Sequence, residues 1–364
     1  MKKLAKILPI ALAFTLIGCK GNQGEEIIIP EITESKTVVI LATGGTIAGS
    51  GEEGKETGYE PGTISVESLI ASVPGIEEIA PLAAVQVCNI NSDDMTSEIW
   101  IKLARTINQI SDQYKDEVAG FVVLHGTDTM EETAYFLNLT VNTDKPVVIT
   151  GAMRPATATS ADGPMNLYQS VVVAASKEAI GKGVLGVFSD SIYSARSMQK
   201  VSTFNVTAIS AGPMGALGFI RNKEVFFYEA STQKHTYTSE FAQLFSKDET
   251  ITKLPKVNVA YFNVDADVEI IKTLGHSSDG LVIAGAGAGE FSESFIKTID
   301  NLEIPVVISS RINSGVITQD SVLCKEAVAA NDLPPHKAAI LLRLALEYKD
   351  KLEDYNLVKI FKNY

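Results

Sequence analysis

Five stretches in the first half of the chain are apolar, rich in β-branched residues, and uninterrupted: Lys36-Thr37-Val38-Val39-Ile40-Leu41, Ala84 to Ile90, Val118 to Leu124, Pro146 to Thr150 and Val184 to Phe188. A strand with one face in water alternates apolar and polar residues, whereas a strand buried on both faces does not. These runs therefore belong to a sheet covered on both sides. Helical spacing fills the gaps between them, as in Ile99, Leu103, Ile107 and Ile110, then Tyr135 to Val141, then Met165 to Ala175. Strand, helix, strand is the repeating unit, and the fold class it predicts is α/β with a mainly parallel sheet.

The pattern changes near Gly212 to Glu229, where shorter β-like pieces appear, and Ala230 to Leu254 is polar enough to read as a linker. A second βα series opens at Lys256-Val257-Asn258-Val259-Ala260-Tyr261 and continues through Gly280 to Ala284, Ile304 to Ser309 and a helix near Pro335 to Lys351. With 364 residues the chain exceeds most single cores. The expected arrangement is a larger N-terminal α/β domain over 36–232, a linker over 233–254 and a smaller α/β domain over 255–364.

Ahead of the first strand, Lys2, Lys3 and Lys6 precede an apolar run from Ile7 to Ile17 that is too short to span a bilayer. Leu16-Ile17-Gly18-Cys19 then places a cysteine where a bacterial lipoprotein leader is cut and lipidated. Residues 1–18 read as that signal peptide, Cys19 as the lipidation site and 19–35 as a tether. The expectation is an exported protein, lipid-anchored in the bacterial cell envelope, that meets the membrane only through its N-terminal lipid. Loss of the three leader lysines takes the formal charge from −13 to −16, a surface unsuited to nucleic acid. Cys88 and Cys324 are far apart in sequence and read as buried free thiols rather than a disulfide.

In an open parallel sheet, ligands bind beyond the carboxyl ends of the strands. Three loops meet that condition. Thr43-Gly44-Gly45-Thr46 opens a Gly-rich segment that ends at Tyr59 and suits a lid; Asn91-Ser92-Asp93-Asp94 precedes a helix; His125-Gly126-Thr127-Asp128-Thr129 precedes another. Thr129 and Glu132 have the spacing of a capping box, which puts Thr127 and Asp128 just before a helix N-terminus, where a carboxylate is favoured. Each loop alone has a purely structural reading. It is their convergence that points to chemistry.

Other chemistries find no support. Gly285-Ala286-Gly287-Ala288-Gly289-Glu290 has Glu290 where a dinucleotide turn needs its third glycine, so it reads as a close backbone approach to a ligand or a neighbouring chain. The first glycine loop lacks a phosphate-binding lysine, and His125, His235, His276 and His336 show no metal-ligand spacing. No Gly-x-Ser-x-Gly elbow is present. No cofactor or metal is expected, and hydroxyl chemistry falls to threonine, which needs a neighbouring base or proton acceptor.

The runs Ile40-x-x-Thr43-Gly44-Gly45-Thr46-Ile47-Ala48 and Gly120-x-Val122-x-x-His125-Gly126-Thr127-Asp128-Thr129-Met130 resemble both signature motifs of bacterial L-asparaginases. Gly151-Ala152-Met153-Arg154-Pro155, Ser160 to Pro164 and Ser309-Ser310-Arg311 extend the likeness over 36–364, and the leader points to the exported type II branch. The resemblance implies L-asparagine hydrolysis with minor activity on L-glutamine. It casts Thr46 as nucleophile, Tyr59 as its activator, and Thr127, Asp128 and Lys200 as a set that orients water and handles protons. It also implies Ser92 at the substrate carboxylate, Asp93 and Asp128 at its ammonium, and the Ala152 carbonyl near the leaving amide. A flavodoxin-like second domain and a homotetramer with sites between subunits complete the implied picture.

Two positions depart from the pattern. Many relatives have Gln or Glu after the substrate-binding serine, where this chain has the shorter Asp93. Relatives often reach a neighbour's site with an Asn and a Glu, and Ala288 and Val322 stand there, with Glu290 close by. Three competing readings stay open at this point: direct attack by water in place of an acyl-enzyme, a glutaminase-asparaginase of comparable dual specificity, and a two-domain lipoprotein receptor for amino acids. A receptor, however, has no need of two threonines with an Asp and a Lys.

Overall fold

Val38, Val39, Ile40 and Leu41 are all fully buried, alternate side chains entering opposite layers of core. This is why the first run is continuous rather than alternating. The computed structural model describes residues 27–364, so the leader and Cys19 lie outside the described residues. No described helix is long and apolar enough to cross a membrane.

The first half of the chain runs β1 (Thr37–Gly44), α1 (Val66–Ala71), β2 (Leu82–Ile90), α2 (Ser97–Gln113), β3 (Val118–Leu124), α3 (Met130–Thr140), β4 (Val147–Thr150), α4 (Gly163–Ala174) and β5 (Val184–Phe188). Short strands follow: β6 (Ser191–Ser194), β7 (Gln199–Lys200), β8 (Ile209–Ser210), β9 (Gly218–Arg221) and β10 (Glu224–Phe227). The remainder is α5 (Glu240–Lys247), β11 (Val257–Tyr261), α6 (Val268–His276), β12 (Gly280–Gly285), α7 (Glu293–Ile299), β13 (Val306–Ser310), β14 (Val328–Ala329), α8 (Pro335–Glu347) and α9 (Leu357–Asn363).

The large sheet has the order β10-β9-β6-β5-β4-β3-β1-β2. It is parallel from β2 to β5, and β6, β9 and β10 add an antiparallel edge. Because β1 lies between β2 and β3, the chain reverses direction across the sheet there. That reversal opens a crevice at the carboxyl ends of β1 and β3. The small sheet is wholly parallel, β11-β12-β13-β14. It is the smaller α/β unit expected, with its strands in chain order; the flavodoxin-type sequence 2-1-3-4-5 occurs instead in the parallel part of the large sheet.

Two stretches are more structured than their composition suggests. The segment read as a linker carries α5, capped by Ser239, with Phe241 and Phe245 fully buried. Phe245 meets Phe136 edge-on at 6.1 Å, and Phe136 stacks on Trp100 at 5.2 Å. One apolar cluster thus runs from α2 and α3 through α5 to α8 and the small sheet. The end of the tether also docks on it: Ile27 and Ile29 pack against this core and Ile32 is buried, while Ile28 faces outward.

Candidate active site at the carboxyl edge of the large sheet

β1 ends at Gly44, and the turn that follows is shaped by a close backbone approach. Gly45 has φ +82°, and a Cβ built on it would lie 2.4 Å from both Cα and N of Gly126. No side chain fits between these loops, so the two threonine motifs are pressed together backbone to backbone. Gly45 N donates to the Ile90 carbonyl at 3.0 Å, tying in the loop after β2 as well. Ser92, in that loop, is buried, and its carbonyl accepts the Thr129 hydroxyl at 2.8 Å.

This last contact corrects the capping reading. Thr129 stands at the N-cap of α3 but makes no side-chain cap, because its hydroxyl is spent on joining two loops. Glu132 therefore takes no part in a capping box. Thr127 and Asp128 still precede the helix, as their spacing required.

Thr46 is almost wholly buried in the turn after β1, and its Oγ1 lies 2.7 Å from the Tyr59 hydroxyl. Tyr59 comes from the glycine-rich segment, which folds back through paired backbone bonds between Ser50 and Glu60. That segment is latched from outside: Gly51 N and Gly54 N donate to Thr157 at 3.0 Å each, and Arg154 pairs with Glu56 at 3.0 Å.

Across the crevice, Lys200 Nζ donates to Thr127 Oγ1 at 2.9 Å and also bonds Asp128 Oδ1. Asp128 is largely exposed, whereas Thr127 and Lys200 are mostly covered. Asp93 faces solvent with its carboxylate held by Asn91 Nδ2 at 2.9 Å. Ala152 is fully buried beyond the end of β4, and the turn after it is closed by Asp162, which accepts from Met153 N and Arg154 N at 2.9 Å each. Thr46 with Tyr59, and Thr127 and Asp128 with Lys200, thus form one pair and one trio at one sheet edge, with Ser92 tied through Thr129 to the loop that carries Thr127 and Asp128.

Further residues shape the site: His125 belongs to the second threonine motif, whereas Glu131, His336 and Lys337 give no motif-level signal. His125 is fully buried with Nδ1 2.7 Å from the Gly126 carbonyl and Nε2 2.8 Å from Thr133 Oγ1, which in turn accepts from Trp100 Nε1 at 2.8 Å. Burial holds its imidazole down to about 4, so the ring is neutral. Glu131 Oε2 accepts from Lys200 N at 2.7 Å, and its Oε1 lies 2.9 Å from His336 Nε2. Burial pushes this carboxyl up, but the His336 contact and the Lys337 charge outweigh it and leave it below the ordinary range. Lys337 is fully buried, and burial pushes its ammonium down to about 8 against the pull of Glu131. A lysine inside the apolar pattern of α8 was the one available hint.

Elsewhere, the Gly285 to Glu290 loop also makes a close approach within itself. A Cβ on Gly285 would lie 2.4 Å from the Gly289 carbonyl carbon, and Ala286 and Glu290 exchange two 2.8 Å backbone bonds. Cys88 and Cys324 are free, and burial pushes both thiols up to about 12. A cleft of about 250 Å³ in the second domain is lined by Gln199, Ala288, Ser310, Ile312, Asn313 and Val316 among others, and so abuts the Lys200 strand.

Comparison with known proteins agrees with this geometry. The family model described as "Asparaginase, N-terminal" matches residues 37–233, and that described as "Glutaminase/Asparaginase C-terminal domain" matches 256–358. A probable periplasmic L-asparaginase of Haemophilus influenzae is 41% identical over 348 residues, covering 94% of this chain and 95% of that protein. L-asparaginase 2 of Escherichia coli is 41% identical over 352 residues, with 94% and 96% covered. The crystal structure of a probable cytoplasmic L-asparaginase from Campylobacter jejuni superposes with a TM-score of 0.82 at 40% identity, covering 91% of this chain and 100% of that one. With both family models filling most of its length, and with both threonine motifs meeting at the crevice between β1 and β3, this chain belongs to the asparaginase family.

Proposed function

We propose that this protein hydrolyses L-asparagine to L-aspartate and ammonia, with minor activity on L-glutamine, using Thr46 as nucleophile. The observation that carries this reading is the pair of hydroxyl contacts facing one crevice: Thr46 with Tyr59 at 2.7 Å, and Thr127 with Lys200 at 2.9 Å. Thr46 Oγ1 attacks the side-chain amide carbon. Its proton passes through the Tyr59 hydroxyl to the amide nitrogen, the C–N bond breaks, and ammonia leaves an ester on Thr46. Water held at Thr127, whose hydroxyl is fixed by Lys200, then attacks the ester carbonyl, and its proton returns to Thr46 as aspartate departs.

In this reading Ser92 binds the substrate carboxylate, Asp93 and Asp128 accept from its ammonium, and the Ala152 carbonyl faces the leaving amide. The sequence of the leader and Cys19 supports export with a lipid anchor, with residues 19–35 as the tether and domains over 36–232 and 255–364. Assembly as a homotetramer fits the apolar side chains exposed around the cleft and the Lys200 strand, among them Val201, Phe204, Ile312 and Val316.

Ammonia release tests the reading. Thr46→Ala is expected to lose about a thousandfold or more in kcat on asparagine, and rapid quenching of wild type to reveal an ester on Thr46. Equal turnover by the variant sinks the assignment, and turnover that depends on Thr46 with no ester at any time favours direct attack by water. Asp93→Gln should shift the asparagine-to-glutamine ratio of kcat/KM if that carboxylate reads substrate length.

A further inference from the structure

A buried ammonium is tolerated only when its donors are all used. Lys337 Nζ meets that demand with three carbonyls from one short stretch: Ala195 at 2.9 Å, Arg196 at 2.9 Å and Met198 at 2.6 Å. The last of these is two residues before Lys200. We propose that Lys337, on the first turn of α8, is a positioning residue for Lys200, fixing the strand from which that side chain reaches Thr127.

Other contacts hold the same stretch. Arg196 forms a two-pronged pair with Asp332, at 2.6 and 2.7 Å, and its Nε donates to the Tyr364 carbonyl at 2.8 Å. On the far side Glu131 takes the Lys200 backbone N–H at 2.7 Å and touches His336, the residue before Lys337. Asp332, His336, Lys337 and Tyr364 all come from the second domain. That domain thereby sets the height of a proton-handling group in the first, even though none of these four touches either threonine hydroxyl. The tolerance is small: displacement of a reacting group by about 1 Å costs on the order of a hundredfold in rate.

This inference rests on the role given to Lys200 above, and the test separates the two. Lys337→Met keeps the buried stem and leaves the three carbonyls unanswered. kcat and KM for asparagine are measured for wild type, Lys337→Met, Lys200→Ala and the double variant, with residual rates read at high enzyme concentration. Lys337→Met is expected to lower kcat about thirtyfold with KM changed by less than about threefold, and to cost less than about threefold once Lys200 is Ala. A general structural defect costs the same factor in both backgrounds, and that result overturns the proposal, as does an unchanged kcat in folded Lys337→Met. Wild-type turnover by Lys200→Ala overturns the role of Lys200 itself. Should Lys337→Met fail to fold, Glu131→Ala removes the opposite hold on Lys200 N, and the same cycle with the same outcomes applies.

Discussion

Acid should destabilise this protein through His125. Its ring is fully buried, and the hydrogen bonds around it admit one arrangement of protons. The Gly126 carbonyl only accepts, so Nδ1 carries the hydrogen; Thr133 Oγ1 takes the Trp100 N–H and gives its own hydrogen to Nε2. A second ring proton faces that donated hydrogen and has no water to stabilise it. Burial accordingly holds the folded-state value to about 4, against about 6.5 in the unfolded chain. Between those values the unfolded chain binds more protons than the folded one. Stability is therefore fully present above pH ~6.5 and is lost as pH falls, by about 2 kcal/mol near pH 5 and about 3 kcal/mol in all below pH ~4. Urea unfolding of wild type and His125→Gln at a series of pH values, at one protein concentration, isolates this contribution because the carboxylates titrate in both. The variant should be the less stable near neutrality, and the gap should close as the solution is acidified. Parallel stability curves would refute the reasoning.

Two further outcomes follow from the loops. Gly45→Ala puts a Cβ 2.4 Å from the Gly126 backbone at a left-handed φ, so thermal unfolding should show a loss exceeding about 3 kcal/mol together with loss of turnover; a stable, active variant contradicts the close approach. Tyr59→Phe keeps the ring and removes only the hydroxyl on Thr46, so kcat/KM on asparagine should fall about a hundredfold with unfolding unchanged, and a drop of less than about threefold argues against proton relay.

What the sequence disclosed and what it hid divide along physical lines. β1, β3, β4 and β5 were legible because a doubly covered strand leaves a continuous apolar run, and the loops after β1, β2 and β3 followed from chain order alone. β2 departs from that expectation, since it is the sheet's edge and buries only Val85 and Val87 while Gln86 and Asn89 face solvent. α5 was hidden because Phe241, Ala242 and Phe245 are its only buried residues among Ser, Gln and Lys, so local composition outvoted an amphipathic turn. The antiparallel edge was only partly visible, since β6, β9 and β10 are four residues long each. The supports of Lys200 were out of reach for a different reason. Arg196 and Asp332 are 136 residues apart, and nothing in either neighbourhood announces the other. Thr129 misled because the spacing of a capping box says nothing about a competing acceptor, and the Ser92 carbonyl is a nearer use for its hydroxyl.

The two threonines differ in what holds their partners, and in the proposed mechanism that difference would order the steps. Thr127 faces Lys200 Nζ, whose strand is gripped by Glu131, Lys337 and the Arg196–Asp332 pair, so this half is set before substrate arrives. Thr46 faces a phenol at the end of a glycine-rich, largely exposed segment secured by a few bonds to Thr157 and one half-exposed ion pair, Arg154–Glu56. Exposed pairs of this kind contribute little, on the order of 1 kcal/mol or less, so the lid half is far easier to release than the lysine half. Were the segment to lift, Tyr59 would leave Thr46 and water would reach it. In the proposed mechanism, nucleophile activation and water exclusion would then be one event, with the Thr127–Lys200 half already in place. On the proposed roles, this asymmetry between the two loops would keep Thr46 from being activated in an open crevice, where water would compete for its proton relay.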